Sequence, residues 1–118
     1  MKRVSFDFDS TLDRFDVQQF AKRLKGFDIH IVTSRYRDSP EYDNSDVFLI
    51  ATQLRIPFKN IHFTNHTLKA IFFKKNPDFL FHLDDNPIEL EFIQRETKVP
   101  AVSVLGNWKK NCLKLIKS

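Results

Sequence analysis

Apolar and polar positions alternate along this chain with two different periods. Val4, Phe6 and Phe8 alternate with Ser5, Asp7 and Asp9, the two-residue period of an extended strand. Val17, Phe20, Ala21 and Leu24 then recur at helical spacing, and Gly26 closes that segment. A second extended run covers 28–34. Asp43, Asn44 or Ser45 is placed to cap a helix carrying Val47, Ile50, Ala51 and Leu54, which stops before Pro57. A short third strand is expected over 60–64, and Thr67 then reads as the N-cap of a helix with Leu68, Ile71 and Phe72 on one side. The run 78–86 is apolar until it ends in acids, and Asn86, Pro87 and Glu89 supply a cap, a first-turn proline and a capping-box glutamate. A fifth strand is expected over 101–105, and Asn107 caps a last helix with Trp108, Cys112, Leu115 and Ile116 on one face.

Five strands in strict alternation with helices predict an α/β, Rossmann-like three-layer sandwich: a central parallel sheet of about five strands with helices on both faces. No repeat or linker divides the chain, so residues 1–118 read as a single domain. The longest irregular stretch, 34–44, follows the second strand, where such a loop often has a functional role.

Composition narrows the class without naming a chemistry. Hydrophobic residues make up 42% and include 13 Phe, enough for an aromatic-rich core, and only 2 Gly argue against a low-complexity chain. One cysteine forms no internal disulfide, and Cys112 in its apolar helical pattern reads as a buried thiol. No apolar run approaches the ~20 residues of a membrane span, so a soluble, cytoplasmic protein is expected. The net charge of +4 suits an anionic substrate but is too weak to demand nucleic acid. Lys109, Lys110, Lys114 and Lys117 read as the solvated face of the last helix.

The chemistry lies in the odd polar residues. Open parallel sheets bind ligands beyond the carboxyl ends of their strands. There the chain places Asp7 and Asp9, Thr33 and Ser34, and Asp84 and Asp85, with Lys69 in the first turn of the helix after strand three. Four gathered carboxylates repel one another unless a cation is shared among them, and their hard oxygens suit Mg²⁺. A carboxylate beside Mg²⁺ can attack phosphorus, its neighbour two residues away can protonate a leaving oxygen and then activate water, and a hydroxyl and an ammonium can hold the phosphoryl oxygens. The ordered series points to phosphoryl transfer.

The same residues resemble a family. "DFDSTLD", "IHIVTSR", Lys69 in "TLKA" and "FLFHLDDN" are similar to the four motifs of the haloacid dehalogenase-like superfamily, over nearly the whole chain. The resemblance implies that Asp7 is the nucleophile and Asp9 the general acid/base. It implies that Thr33 and Lys69 bind phosphate, and that Asp84 and Asp85 hold Mg²⁺ with Asp7 and the Asp9 carbonyl. Either Thr33 or Ser34 can supply the hydroxyl. Ser10 stands where the family usually has Gly, and in that turn Ser can serve if φ is negative. The second acid, Asp9, favours phosphate chemistry over carbon–halogen cleavage. No stretch is long enough for the cap domain common in the family, so the site is expected to be open, shielded by a neighbouring subunit or partly covered by the 34–44 loop with Tyr36 and Tyr42.

Other residues receive blander expectations. Arg35 and Arg37 are equally suited to a second anionic group on the substrate and to the plain surface. Asn65 and His66 stand where they can edge the pocket, but read rather as capping or surface residues; His30, His62 and His82 read as packing or edge residues; Lys74 and Lys75 as solvated. The sequence thus predicts a Mg²⁺-dependent phosphatase working through an aspartyl-phosphate, on a small molecule, a nucleotide or a nucleic-acid end. The alternatives are a phosphate-binding regulatory module of little turnover and a phosphotransferase.

Overall fold

A computed structural model describes residues 1–37, 40–41 and 43–117. Five strands form one parallel sheet: β1 (Arg3–Phe6), β2 (Asp28–Thr33), β3 (Ile61–Phe63), β4 (Phe79–Asp84) and β5 (Ala101–Ser103), in the order β3-β2-β1-β4-β5. Five helices alternate with them: α1 (Phe15–Lys22), α2 (Ser45–Gln53), α3 (Lys69–Lys75), α4 (Pro87–Glu96) and α5 (Trp108–Lys117). Among the described residues the only further elements are a wide π-type turn over Phe8–Leu12 and a 3₁₀ turn over Phe58–Asn60.

The period of two sets the layer each side chain enters, and the register shift between β1 and β4 moves Phe79 to the face opposite Phe81 and Leu83. Val4 and Phe6 of β1 and Phe81 and Leu83 of β4 join Val17 and Phe20 of α1, Val47 and Ala51 of α2, and Trp108 and Cys112 of α5 in the larger core. On the opposite face Val32 and Phe79 pack with Ala70 and Phe73 of α3 and Ile93 of α4. Burial pushes the Cys112 thiol up to about 12, which leaves it an inert packing group at neutral pH. No helix among the described residues is long and apolar enough to cross a membrane.

Strand order reverses beside β1. The chain moves outward through β2 and β3, then α3 carries it back across to β4 on the other side of β1. That reversal opens a crevice at the carboxyl ends of β1 and β4.

Several local expectations are corrected. Strand pairing stops at Phe6, and Asp7 and Asp9 lie in the turn that follows, so they do not share a strand face. Ser10 adopts φ 59, ψ 17. The condition of a negative φ is not met, and a side chain sits in the left-handed region that glycine enters freely, at a strain of ~1–3 kcal/mol. Thr67 does not cap α3: the cap position is Leu68, and the Thr67 hydroxyl donates to the Thr64 carbonyl. Asn44 occupies the α2 cap position, but its amide is spent on the carbonyls of Tyr36 and Arg37, tying down the loop after β2. Asn86 caps α4 as expected, accepting from the N–H groups of Ile88 and Glu89 behind Pro87. Glu89 does not close a capping box; its carboxylate accepts from the Lys69 N–H at the start of α3.

Candidate functional site

The crevice between β1 and β4 is a cleft of about 630 Å³, bordered by Asp7, Asp9, Ser34, Lys69, Asp84 and Asp85 and by a rim from 66–68 and 86–89. Asp7 leaves the end of β1 with its N–H donated to the Leu83 carbonyl at 2.8 Å, which fixes it beside the end of β4. Asp84 is the last residue of β4, and its Oδ1 accepts from the Asn86 N–H at 3.0 Å, so the turn into α4 orients its carboxylate.

Lys69 joins the two acids. Its Nζ lies 2.8 Å from Asp7 Oδ1 and 2.6 Å from Asp84 Oδ2, with the lysine side chain only 2% exposed. The lysine is held here by α3, whose first residue it is, and by the bond from its N–H to Glu89. Lys74 and Lys75 are exposed, the former pairing with Glu96.

Charges do not balance in this cluster. Burial works to lower Lys69, but Asp7 and Asp84 outweigh it and hold the ammonium above its ordinary value. Burial works to raise Asp84, and is outweighed by the His82 hydrogen bond and the charges around it, so Asp84 stays below the usual carboxylate range. Asp7 is pushed up to about 8, first by burial, with Lys69 opposing and Asp84 adding to the shift. One ammonium cannot neutralise both acids. Asp84, with the additional His82 bond, keeps its charge, and the uncompensated cost falls on Asp7.

A second cation would remove that cost. Oxygens of Asp7, Asp84 and Asp85 lie within 4.8 Å of one another, and this group can hold a metal ion. Asp7 and Asp84 are buried and Asp85 is half-buried at the cleft. The hydrogen bonds already made leave lone pairs available on Asp7 Oδ2, which accepts from the Thr11 hydroxyl at 3.4 Å, and on Asp84 Oδ1. An all-carboxylate set completed by water suits a hard divalent ion such as Mg²⁺.

Behind Asp84 lies a connection that pattern reading missed. His82 is fully buried; its Nε2 is 2.7 Å from Asp84 Oδ2 and its Nδ1 2.8 Å from Ser5 Oγ. Burial lowers the histidine, so the ring is neutral. An ionised carboxylate only accepts, so Nε2 carries the proton and Nδ1 accepts from the serine hydroxyl. Ser5, His82, Asp84, Lys69 and Asp7 therefore form one buried hydrogen-bonded chain. The clue was present: His82 is two residues before Asp84 on the same strand face, and Ser5 is its register partner on β1.

Asp9 is turned away from the cluster. Arg35 grips it with Nε at 3.0 Å and Nη2 at 2.7 Å, and the same guanidinium reaches Asp46 at 2.7 and 2.9 Å. Phe8 lies beneath the guanidinium, 5.1 Å from ring centre to Cζ. Asp9 lines the cleft, but its carboxylate is not in the metal-binding group. Thr33 is fully buried, accepting from the Arg35 N–H, whereas Ser34 lines the cleft. His66 also lines it, and its ring stacks on Tyr36 at 4.7 Å. Tyr42, expected in a partial lid, is outside the described residues. His30 and His62 stack on one another at the β2–β3 edge and take no part in the cleft.

No known protein family, curated protein or solved structure matches this chain.

Proposed function

We propose that the protein is a Mg²⁺-dependent phosphomonoester hydrolase that works through a phosphoryl group on Asp7. The observation that carries this reading is Lys69 between Asp7 and Asp84, with Asp85 beside them, in the crevice where the strand order reverses. The motif series that resembles the haloacid dehalogenase-like superfamily supports the same roles.

Asp7, Asp84 and Asp85 would hold the ion, which supplies charge neutralisation for the phosphoryl group and keeps Asp7 ionised. An Asp7 carboxylate oxygen attacks phosphorus, the ester P–O bond breaks, and its electron pair leaves on the alcohol oxygen. Asp9 gives that oxygen a proton. In the second half Asp9 takes a proton from water, the hydroxide attacks phosphorus, and the bond to Asp7 breaks to release phosphate and the original carboxylate. Asp9 must exchange Arg35 for the reacting oxygen to do this, and Asp46 keeps the guanidinium neutralised when it does. Lys69 and Ser34 face the phosphoryl oxygens from the cleft wall, with Thr33 supporting the turn behind Ser34.

A panel of phosphomonoesters assayed with Mg²⁺ and with chelator tests this reading. Release of phosphate should require Mg²⁺ and fall at least ~10³-fold in Asp7→Asn. The variant should keep its thermal unfolding midpoint, because it removes the acid whose charge is least compensated. Equal inactivity of wild type and Asp7→Asn on every ester would overturn the assignment.

A further inference from the structure

We propose that the cleft rim is a subsite for a flat heteroaromatic ring on the leaving group, so that the substrate is a ring-bearing phosphomonoester of the nucleoside monophosphate kind. This rests on the hydrolase reading of the same cleft and adds which esters it takes.

The rim offers apolar and aromatic surface where an open polar cleft has no structural need of it. Ile88 is 60% exposed and Leu68 37% exposed, each in or beside the first turn of a helix that borders the cleft. His66 adds an exposed ring on the same rim, backed by the Tyr36 ring. Apolar side chains scattered singly over a surface mean little; here they border the acidic crevice.

The backbone is strained to put the His66 ring there. Asn65 and His66 are consecutive non-glycine residues at φ 54 and φ 62. They are held so by bonds between the two loops: the His66 N–H donates to the Ser34 carbonyl at 2.7 Å, the Asn65 N–H to the Arg35 carbonyl, and the Arg37 N–H to Asn65 Oδ1. Paired left-handed residues persist only where the surroundings impose them, and such positions cluster at ligand sites.

Several polar groups of this rim are already partly engaged. The Thr67 hydroxyl donates to the Thr64 carbonyl, Asn86 Oδ1 is the α4 cap, and Glu89 accepts from Lys69. A flat ring would bury its faces against Leu68 and Ile88, while the ribose hydroxyls of such a substrate would meet the polar side chains that also line the cleft.

Adenosine 5′-monophosphate and ribose 5-phosphate share the leaving oxygen and differ by the base, so their ratio isolates the ring. We expect kcat/KM for the nucleotide to exceed that for the sugar phosphate by about tenfold or more, the scale of burying a few apolar groups. The ratio should fall toward one in Ile88→Ser and in His66→Gly, which keeps the left-handed backbone. Equilibrium binding to Asp7→Asn with Mg²⁺ present reads the same preference without turnover. A ratio of one or below in both wild-type turnover and Asp7→Asn binding, or a ratio unmoved by both rim variants, overturns the subsite. Tighter binding of the nucleotide without hydrolysis of any ester supports the subsite and instead removes the hydrolase reading.

Discussion

His82 shows how much a single buried side chain can do for a site it does not line. Its Nε2 holds Asp84 Oδ2 from behind, with the ring itself fixed by Ser5, while Lys69 holds the same oxygen from the front. In His82→Leu the Ser5 hydroxyl loses its 2.8 Å partner and Asp84 loses a donor, which should cost ~1–3 kcal/mol of stability. The same change should weaken Mg²⁺ binding by about 10–100-fold, the usual effect of removing a group that orients a metal-binding carboxylate. His82→Gln, which can still donate toward Asp84, should recover most of the affinity. Titrating Mg²⁺ into the three proteins checks this; equal affinities would make His82 a packing residue, as its place within a strand first suggests. Pattern reading located the acids because carboxylates are rare in strands, but a histidine suits a strand well enough to pass unnoticed. The backbone at Ser10 was open in the sequence for a related reason: φ is imposed by the turn that carries Asp9 toward Arg35.

The edge of the sheet carries a separate, acid-sensitive feature. His62 on β3 stacks on His30 of β2, with Phe72 of α3 4.5 Å from its ring. Burial lowers its pKa to about 4, with the charges of His30 and Arg3 adding to the effect and Asp28 opposing it. A depressed folded pKa means the folded state binds the proton less well than the unfolded one. The associated stability is therefore full above the unfolded value near 6.5 and is lost as pH falls toward about 4. The loss should be ~1–2 kcal/mol, below the full value of the shift because the half-buried ring is screened by solvent. Urea unfolding at pH 7 and pH 4.5 should show it, and His62→Phe should flatten the difference; an unchanged pH dependence in the variant would assign the acid loss to other groups. Strands and helices were legible from period because each buries one face or stripe, and those contacts fix the period. Their ends were less so. Thr67 and Glu89 have good cap chemistry, but the hydroxyl found a carbonyl in its own loop and the carboxylate found a neighbouring helix. Only tertiary geometry chooses between such partners.

At the scale of the molecule, the strand order puts the site where it is. β1 and β4 are neighbours although α1, β2, α2, β3 and α3 intervene in sequence, and Asp7 and Asp84 meet because of that reversal. The alternation of elements made a parallel sheet predictable, and the polar strand ends then marked one edge of it. The pairing of Arg35 with Asp9 and Asp46 and the place of Leu68 and Ile88 on the cleft rim were beyond that reading, since they depend on how the loops lie against one another, and His66 reaches the pocket edge that its position after β3 made possible. The central claim is that Asp7 receives the phosphoryl group. The most direct test is to quench turnover in acid, reduce the acyl phosphate with borohydride and map the peptides. Reduction of an aspartyl-phosphate leaves homoserine, so residue 7 should be converted in the presence of both Mg²⁺ and substrate, and not when either is omitted. Conversion at another aspartate, or sustained hydrolysis with residue 7 never modified, would contradict the account.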